Sequence, residues 1–144
     1  ANAPERAESS VVVIAKYNTI FMTFVMLFFL FGAEYLISIF IPDIISIESG
    51  YAISALKIIS LGYILYGIGM VLMQAFNGAG DTKTPTWISF IGFWLIQVPL
   101  AWVLANTFSM GATGAFVAVP SAEAIVALMY FVMFRKGKWK MVKV

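Results

Sequence analysis

Two side chains in this sequence are able to do chemistry in an apolar setting. Glu123 lies in Ser121-Ala122-Glu123-Ala124-Ile125-Val126, and Gln97 lies in Trp94-Leu95-Ile96-Gln97-Val98-Pro99, each well inside a long apolar run. A carboxylate and a carboxamide in such places suit reversible binding of a proton, a small cation or a cationic molecule. They do not suit bond making: the chain has no histidine and no cysteine, and no second acid accompanies Glu123 within its run, so paired-carboxylate, thiolate, histidine-base and zinc chemistry are all excluded. Tyr130 follows Glu123 at helical spacing on the same face. Trp94 precedes Gln97; it reads as a lipid or packing contact, or as an aromatic wall for a cationic ligand.

The elements that must position these residues are set by composition. Hydrophobic residues make up 62% of the chain and charged residues 11%, against roughly 25% charged in soluble domains. The apolar runs reach bilayer-spanning length, so the sequence predicts an all-α integral membrane protein. Four spans are expected at about 17–33, 51–76, 86–105 and 113–134, within a transmembrane segment 17–134. A link over 1–16 precedes it and a basic tail over 135–144 follows. No signal peptide is visible in the polar opening residues, and the chain reads as the C-terminal remainder of something longer. At 1.5 Å per residue, Gln97 lies about 16 Å from one membrane edge and Glu123 about 15 Å from the other, so both fall near the midplane. A charge there is costly unless solvated or paired, and it marks a candidate functional site. Two readings of Glu123 stand: a group facing an internal cavity, or a protonated acid hydrogen-bonded to Ser121, Gln97 or a backbone carbonyl.

Basic residues orient the spans. Arg6, Lys16, Lys83, Arg135, Lys136, Lys138, Lys140 and Lys143 all fall on one side of a four-span layout, and the two opposite loops hold no basic residue. The positive-inside rule makes that side cytoplasmic, with both ends of the chain. Trp139 in the tail reads as an interfacial aromatic. The remaining basic residue, Lys57, is expected to snorkel to the opposite interface.

Packing signals are also present. Ala55, Gly62 and Gly69 recur every seven residues, and Gly114, Ala118 and Ala122 every four; such seams let helix backbones approach closely in lipid. Glu123 points about 140° away from the second seam. Pro99 and Pro120 each lack an N–H and free a carbonyl, at Leu95 and Phe116, close to the two midplane polar residues.

The turn Asn77-Gly78-Ala79-Gly80-Asp81-Thr82-Lys83-Thr84-Pro85 joins two spans in a tight hairpin. It resembles the Gly-x-Gly-Asp-Thr turn of the multidrug and toxic compound extrusion (MATE) transporters. Asn2–Ala7, Glu34–Ile37, Phe40–Asp43, Gly111–Ala115 and Arg135–Trp139 resemble further family landmarks in the expected order. The resemblance implies helices nine to twelve, part of the C-terminal lobe of a twelve-helix transporter. The motif residues Gly78, Gly80, Asp81, Thr82 and Pro85 then read as structural, with the glycines permitting a tight backbone and Asp81 capping the next helix.

That resemblance implies secondary efflux of amphipathic or cationic compounds in exchange for Na+ or H+, with no cofactor, no metal, no enzymatic activity and no nucleic-acid partner. The expected partners are a small-molecule substrate, the lipid bilayer and the missing N-terminal part of the same transporter. The expected location is the cell inner (plasma) membrane. One departure matters: some family members bind cations through an acid in the tenth helix, and 51–76 contains none. A lipid-linked oligosaccharide flippase of the same superfamily, and a membrane assembly subunit without transport, are the alternatives. The flippase needs a cationic cavity that no midplane Lys or Arg supplies.

Overall fold

A computed structural model describes residues 4–43 and 45–141. Its described residues form helices joined by short turns: α1 (Pro4–Phe40), α2 (Ile47–Ser60), α3 (Tyr63–Gly78), α4 (Lys83–Phe90), α5 (Val98–Trp102) and α6 (Ala112–Arg135). Wider π-helical stretches at Ile91–Gln97 and Val103–Thr107 make α4 and α5 one continuous rod, and a single 3-10 turn covers Lys138–Met141. Three helical stretches, Glu5–Phe40, Lys83–Thr107 and Ala112–Arg135, are long and apolar enough to cross a membrane. The pair α2 and α3 makes a fourth if it is counted as one broken span. The chain is a multi-pass, all-α membrane protein segment.

α1 is unbroken where the sequence suggested a link followed by a span ending near residue 33. It has 37 residues, about 55 Å of helix, well beyond the roughly 30 Å hydrocarbon core. Glu34 does not stop it, because it is exposed and pairs with Lys57 at 3.2 Å. Lys57, expected to snorkel alone, therefore reaches a carboxylate as well. Both partners are largely exposed, so the pair contributes little to stability. The expected features at residues 1–3 and 142–144 lie outside the described residues.

The stretch Tyr51–Phe76, expected as one span, bends by 51° between α2 and α3. The cause is local. Ser60 Oγ donates to the Lys57 carbonyl at 2.9 Å, and Gly62 N–H donates to the Ile59 carbonyl, a shortened i−3 bond. Serine back-bonding beside a glycine is a recognised cause of sharp bends. The bend seats Gly62 on α6: a Cβ there would lie 2.8 Å from Pro120 Cβ and 3.0 Å from its Cα. The α3 seam thus rests on Pro120 and Ala127 of α6, not on the small-residue seam of that helix. Gly69 faces Ala127, and Ala118 and Ala122 are fully or nearly fully buried. Gly114 packs on the backbone of Leu104 and Ala105. Two further close approaches carry no repeat in the sequence: Gly67 against Asn18 and Met22, and Gly92 against Val126.

The hairpin turn does two jobs with adjacent residues. Gly80, at φ 84°, lets its N–H reach the Asn77 carbonyl while Asp81 N–H reaches the Phe76 carbonyl, the Schellman end of α3. The Asp81 carboxylate then accepts from Thr84 N–H at 3.0 Å and Thr84 Oγ1 at 2.6 Å, starting α4. Gly78 stays helical with open space around it, so the demand for glycine falls on position 80. α4 begins at Lys83, before Pro85, and Pro85 is buried.

The Lys83 end of the bundle is closed by the tail. Trp139 is buried, not interfacial: its ring stacks on Phe134 at 5.0 Å, and Nε1–H donates to the Phe134 carbonyl at 3.0 Å. Leu72, Phe76, Ile88 and Tyr130 complete that core. Gly137, at φ 69°, turns the chain back, and Lys140 pairs with Glu8 of α1.

Candidate functional site

α3, the π-widened rod and α6 surround a cavity of about 200 Å³ whose lining includes Tyr66, Ser89, Phe93, Gln97, Glu123 and Tyr130. Three of the residues singled out from sequence, Glu123, Gln97 and Tyr130, therefore share one wall. The fourth, Trp94, is not on it; it is 56% exposed and stands edge-on to Phe93 at 5.4 Å. Its neighbour Phe93 lines the cavity instead. The motif residues of the hairpin turn do not line it, in keeping with their structural hydrogen bonds.

The geometry follows from local backbone rules. Pro99 cannot donate to Leu95, and the helix before it widens to π form over Ile91–Gln97. Val98 N–H reaches the Phe93 carbonyl, five residues back. The widening lets Gly92 rest on Val126 while Phe93 and Gln97 turn toward α6. On α6, Glu123 follows the buried seam residue Ala122 and projects past it, partly exposed. Ser121, one of the partners expected for a purely structural Glu123, donates instead to the Val117 carbonyl at 2.8 Å.

Tyr130 has a fixed role at the edge of the cavity. Its hydroxyl donates to the Pro85 carbonyl at 3.2 Å and lies 3.0 Å from Ser89 Oγ. Its ring is buried 6.2 Å from that of Phe76. It ties α6 to the start of α4 and presents an apolar flank to the cavity. The arrangement offers one ionisable carboxyl, one amide, a Tyr66 hydroxyl with no hydrogen-bond partner among the described residues, and apolar walls from Phe93, Met70 and Val126. Among the described residues no group of three or more acids is placed to hold a metal.

A second cavity, of about 160 Å³, lies against the α2–α3 bend and is lined by Ile59, Gly62, Tyr63, Tyr66, Val119, Pro120 and Glu123. Sequence reasoning passed over Tyr66, which touches both spaces. The signal was present in Gly62-x-x-x-Tyr66-x-x-Gly69: one aromatic between two glycines on a single helix face.

Fold and site together define a multi-pass membrane protein with a largely apolar pocket between helices that carries a carboxyl and an amide. Residues 1–103 match the MatE family model, and the chain belongs to that family. Its members are transporters, not enzymes. The chain is 33% identical over 117 residues to the probable multidrug resistance protein NorM of Thermotoga maritima, covering 80% of this chain and 24% of that protein. It is 29% identical over 102 residues to YoeA of Bacillus subtilis, covering 67% of this chain and 22% of the relative. A Synechococcus NorM matches at 29% over 85 residues, 59% of this chain and 18% of the relative. The chain thus spans less than a quarter of the length of these curated relatives. No solved structure matches. Gln97 falls inside the family-matched residues, whereas Glu123 and Tyr130 lie beyond them.

Proposed function

We propose that this segment is part of a secondary transporter that expels amphipathic or cationic compounds in exchange for Na+ or H+, with Glu123 as the exchange group. The observation that carries this reading is the position of Glu123 on two cavities, clear of the buried seam of its own helix. Membership of a family whose curated relatives are named multidrug resistance proteins supports the efflux direction. A carboxylate that alternates between a cationic substrate and a small cation supplies the coupling an antiporter needs. Gln97 is able to hydrogen-bond the carboxyl or the substrate in either state. Phe93 offers a ring face to a cation, worth about 2 kcal/mol when desolvated. No Lys or Arg lines either cavity among the described residues, which disfavours a phosphate-bearing lipid as substrate.

The groups facing Glu123 are Tyr63 and Tyr66 from α3, Ser89 and Gln97 from the third span, and Tyr130 on its own helix. None is cationic, so among the described residues the carboxylate has no resident counter-charge. Glu123→Gln in the full-length protein, reconstituted in vesicles, is expected to cut exchange strongly and to flatten its pH dependence while leaving insertion and melting temperature unchanged. Parent-like transport at every pH would assign coupling to helices outside this chain.

The basic residues supply the proposed topology: both ends of the segment and Lys83 face the cytoplasm of an inner or plasma membrane. In a cysteine-free form of the full-length protein, Lys83→Cys is expected to react with an impermeant maleimide only after the cells are opened. Glu48→Cys is expected to react in intact cells. The reverse pattern would overturn the orientation.

A further inference from the structure

The two cavities are stacked along the α3–α6 pair. One lies toward the Lys57 end, against Ile59, Gly62 and Pro120; the other lies toward the Lys83 end, against Met73, Ser89 and Tyr130. Among the described residues only Tyr66 and Glu123 line both. At about 200 and 160 Å³ each has room for several waters, since one occupies roughly 30 Å³. The carboxyl therefore borders both spaces, and the Tyr66 ring borders them beside it.

Tyr66 is built differently from Tyr130. Tyr130 is 2% exposed and its hydroxyl is tied to Pro85 and Ser89. Tyr66 is 41% exposed, and no hydrogen bond holds its hydroxyl among the described residues. The residues above and below it on the same face are Gly62 and Gly69, which occupy no side-chain space. α6 closes over α3 on either side of the ring, at Pro120 against Gly62 and at Ala127 against Gly69, and the ring stands between those two close approaches.

We propose that Tyr66 is the gate residue of this segment: its ring divides the two cavities at Glu123, so that the carboxyl opens to one of them at a time. The inference rests on Glu123 as the exchange group. It assigns Tyr66 a positioning role, acting on access to the carboxyl without being the exchanging group itself. A gate of this kind prevents the coupling cation from passing straight through when substrate is absent.

The test is leak. Full-length protein carrying Tyr66→Ala, Tyr66→Leu or Tyr66→Phe is reconstituted in vesicles. Passive H+ and Na+ entry is followed without substrate, with a pH dye and radioactive sodium, and exchange is measured in parallel. Tyr66→Ala and Tyr66→Leu are expected to raise the leak of at least one of these cations roughly tenfold, because the constriction is lost. Exchange should fall in both. Tyr66→Phe, which keeps the ring, should match the parent. Adding Glu123→Gln to Tyr66→Ala should remove the pH dependence of the leak. Folded Tyr66→Ala and Tyr66→Leu proteins with the parent's leak would overturn the gate, as would failure of both to fold, which would make Tyr66 a packing residue. Parent-like exchange by Glu123→Gln alone would instead overturn the reading of Glu123, so the two failures are distinguishable.

Discussion

Gly114→Leu is expected to prevent this segment from folding. A Cβ at position 114 would lie 2.7 Å from both Ala105 N and the Leu104 carbonyl carbon, and 2.9 Å from the Leu104 oxygen. These are backbone atoms at the end of the third span, held by the Met110 and Gly111 N–H bonds to the Leu104 and Ala105 carbonyls. They cannot rotate away as a side chain would. Overpacking a core usually costs about 1–3 kcal/mol; against backbone, with a whole isobutyl group to place, the cost lies beyond that range. Gly62→Leu should behave similarly against Pro120, and Ala118→Leu in the same seam should also fail. Gly32→Leu makes the same chemical change where nothing stands within 4 Å, and Leu61→Ala trims an exposed side chain; both should be mild. Yield of monodisperse full-length protein in detergent separates the two groups. Equal yields from all five would show that the seams are not close contacts.

The second large effect is expected at Trp139. Trp139→Ala removes a ring stacked on Phe134 and a buried indole hydrogen bond, for about 3–5 kcal/mol. It also frees the Lys140 end of the tail from Glu8. Thermal unfolding of the full-length protein should show a clear drop in Tm. Lys140→Ala, which removes a partly exposed ion pair and a cation–π contact 5.6 Å from the centroid of the Trp139 ring, should cost less, about 1–2 kcal/mol. An unchanged Tm in Trp139→Ala would mean that the tail merely lies on the bundle.

Part of the candidate cavity's lining was legible in the sequence. Counting 1.5 Å per residue placed Gln97 and Glu123 at one depth, and both line one cavity. The seam angle turned Glu123 from Gly114, Ala118 and Ala122 but gave no sign that its own face, at Pro120 and Ala127, packs against Gly62 and Gly69 of α3. Gly62, Gly69, Gly114, Ala118 and Ala122 stood out because small-residue repeats are periodic. Gly67 and Gly92 did not, because their partners, Asn18 and Met22 for one and Val126 for the other, lie on distant stretches of chain that no local pattern reveals. The α2–α3 bend was hidden for a related reason: Gly62 fits a seam and a kink equally, and only its seat on Pro120 decides. Trp139 misled because a tryptophan among lysines has the composition of an interfacial anchor. Its burial depends on Gly137 turning the tail back onto Phe134. Trp94 and Phe93 are neighbours with the same chemistry, and the π turn determines which one faces inward.

That π-widened stretch has a consequence for comparing this chain with its relatives. Each widened turn holds about one residue more than an α turn, so Ile91–Gln97 behaves as if a residue had been inserted into an ordinary helix. A relative with a plain helix here would align with a one-position gap between Ile91 and Gln97, at no loss of length along the membrane normal. A gap moved outside that stretch would pair Gln97 with a residue about 100° around the helix. Homologous pocket positions beyond residue 97 should therefore be assigned by facing direction before residue identity.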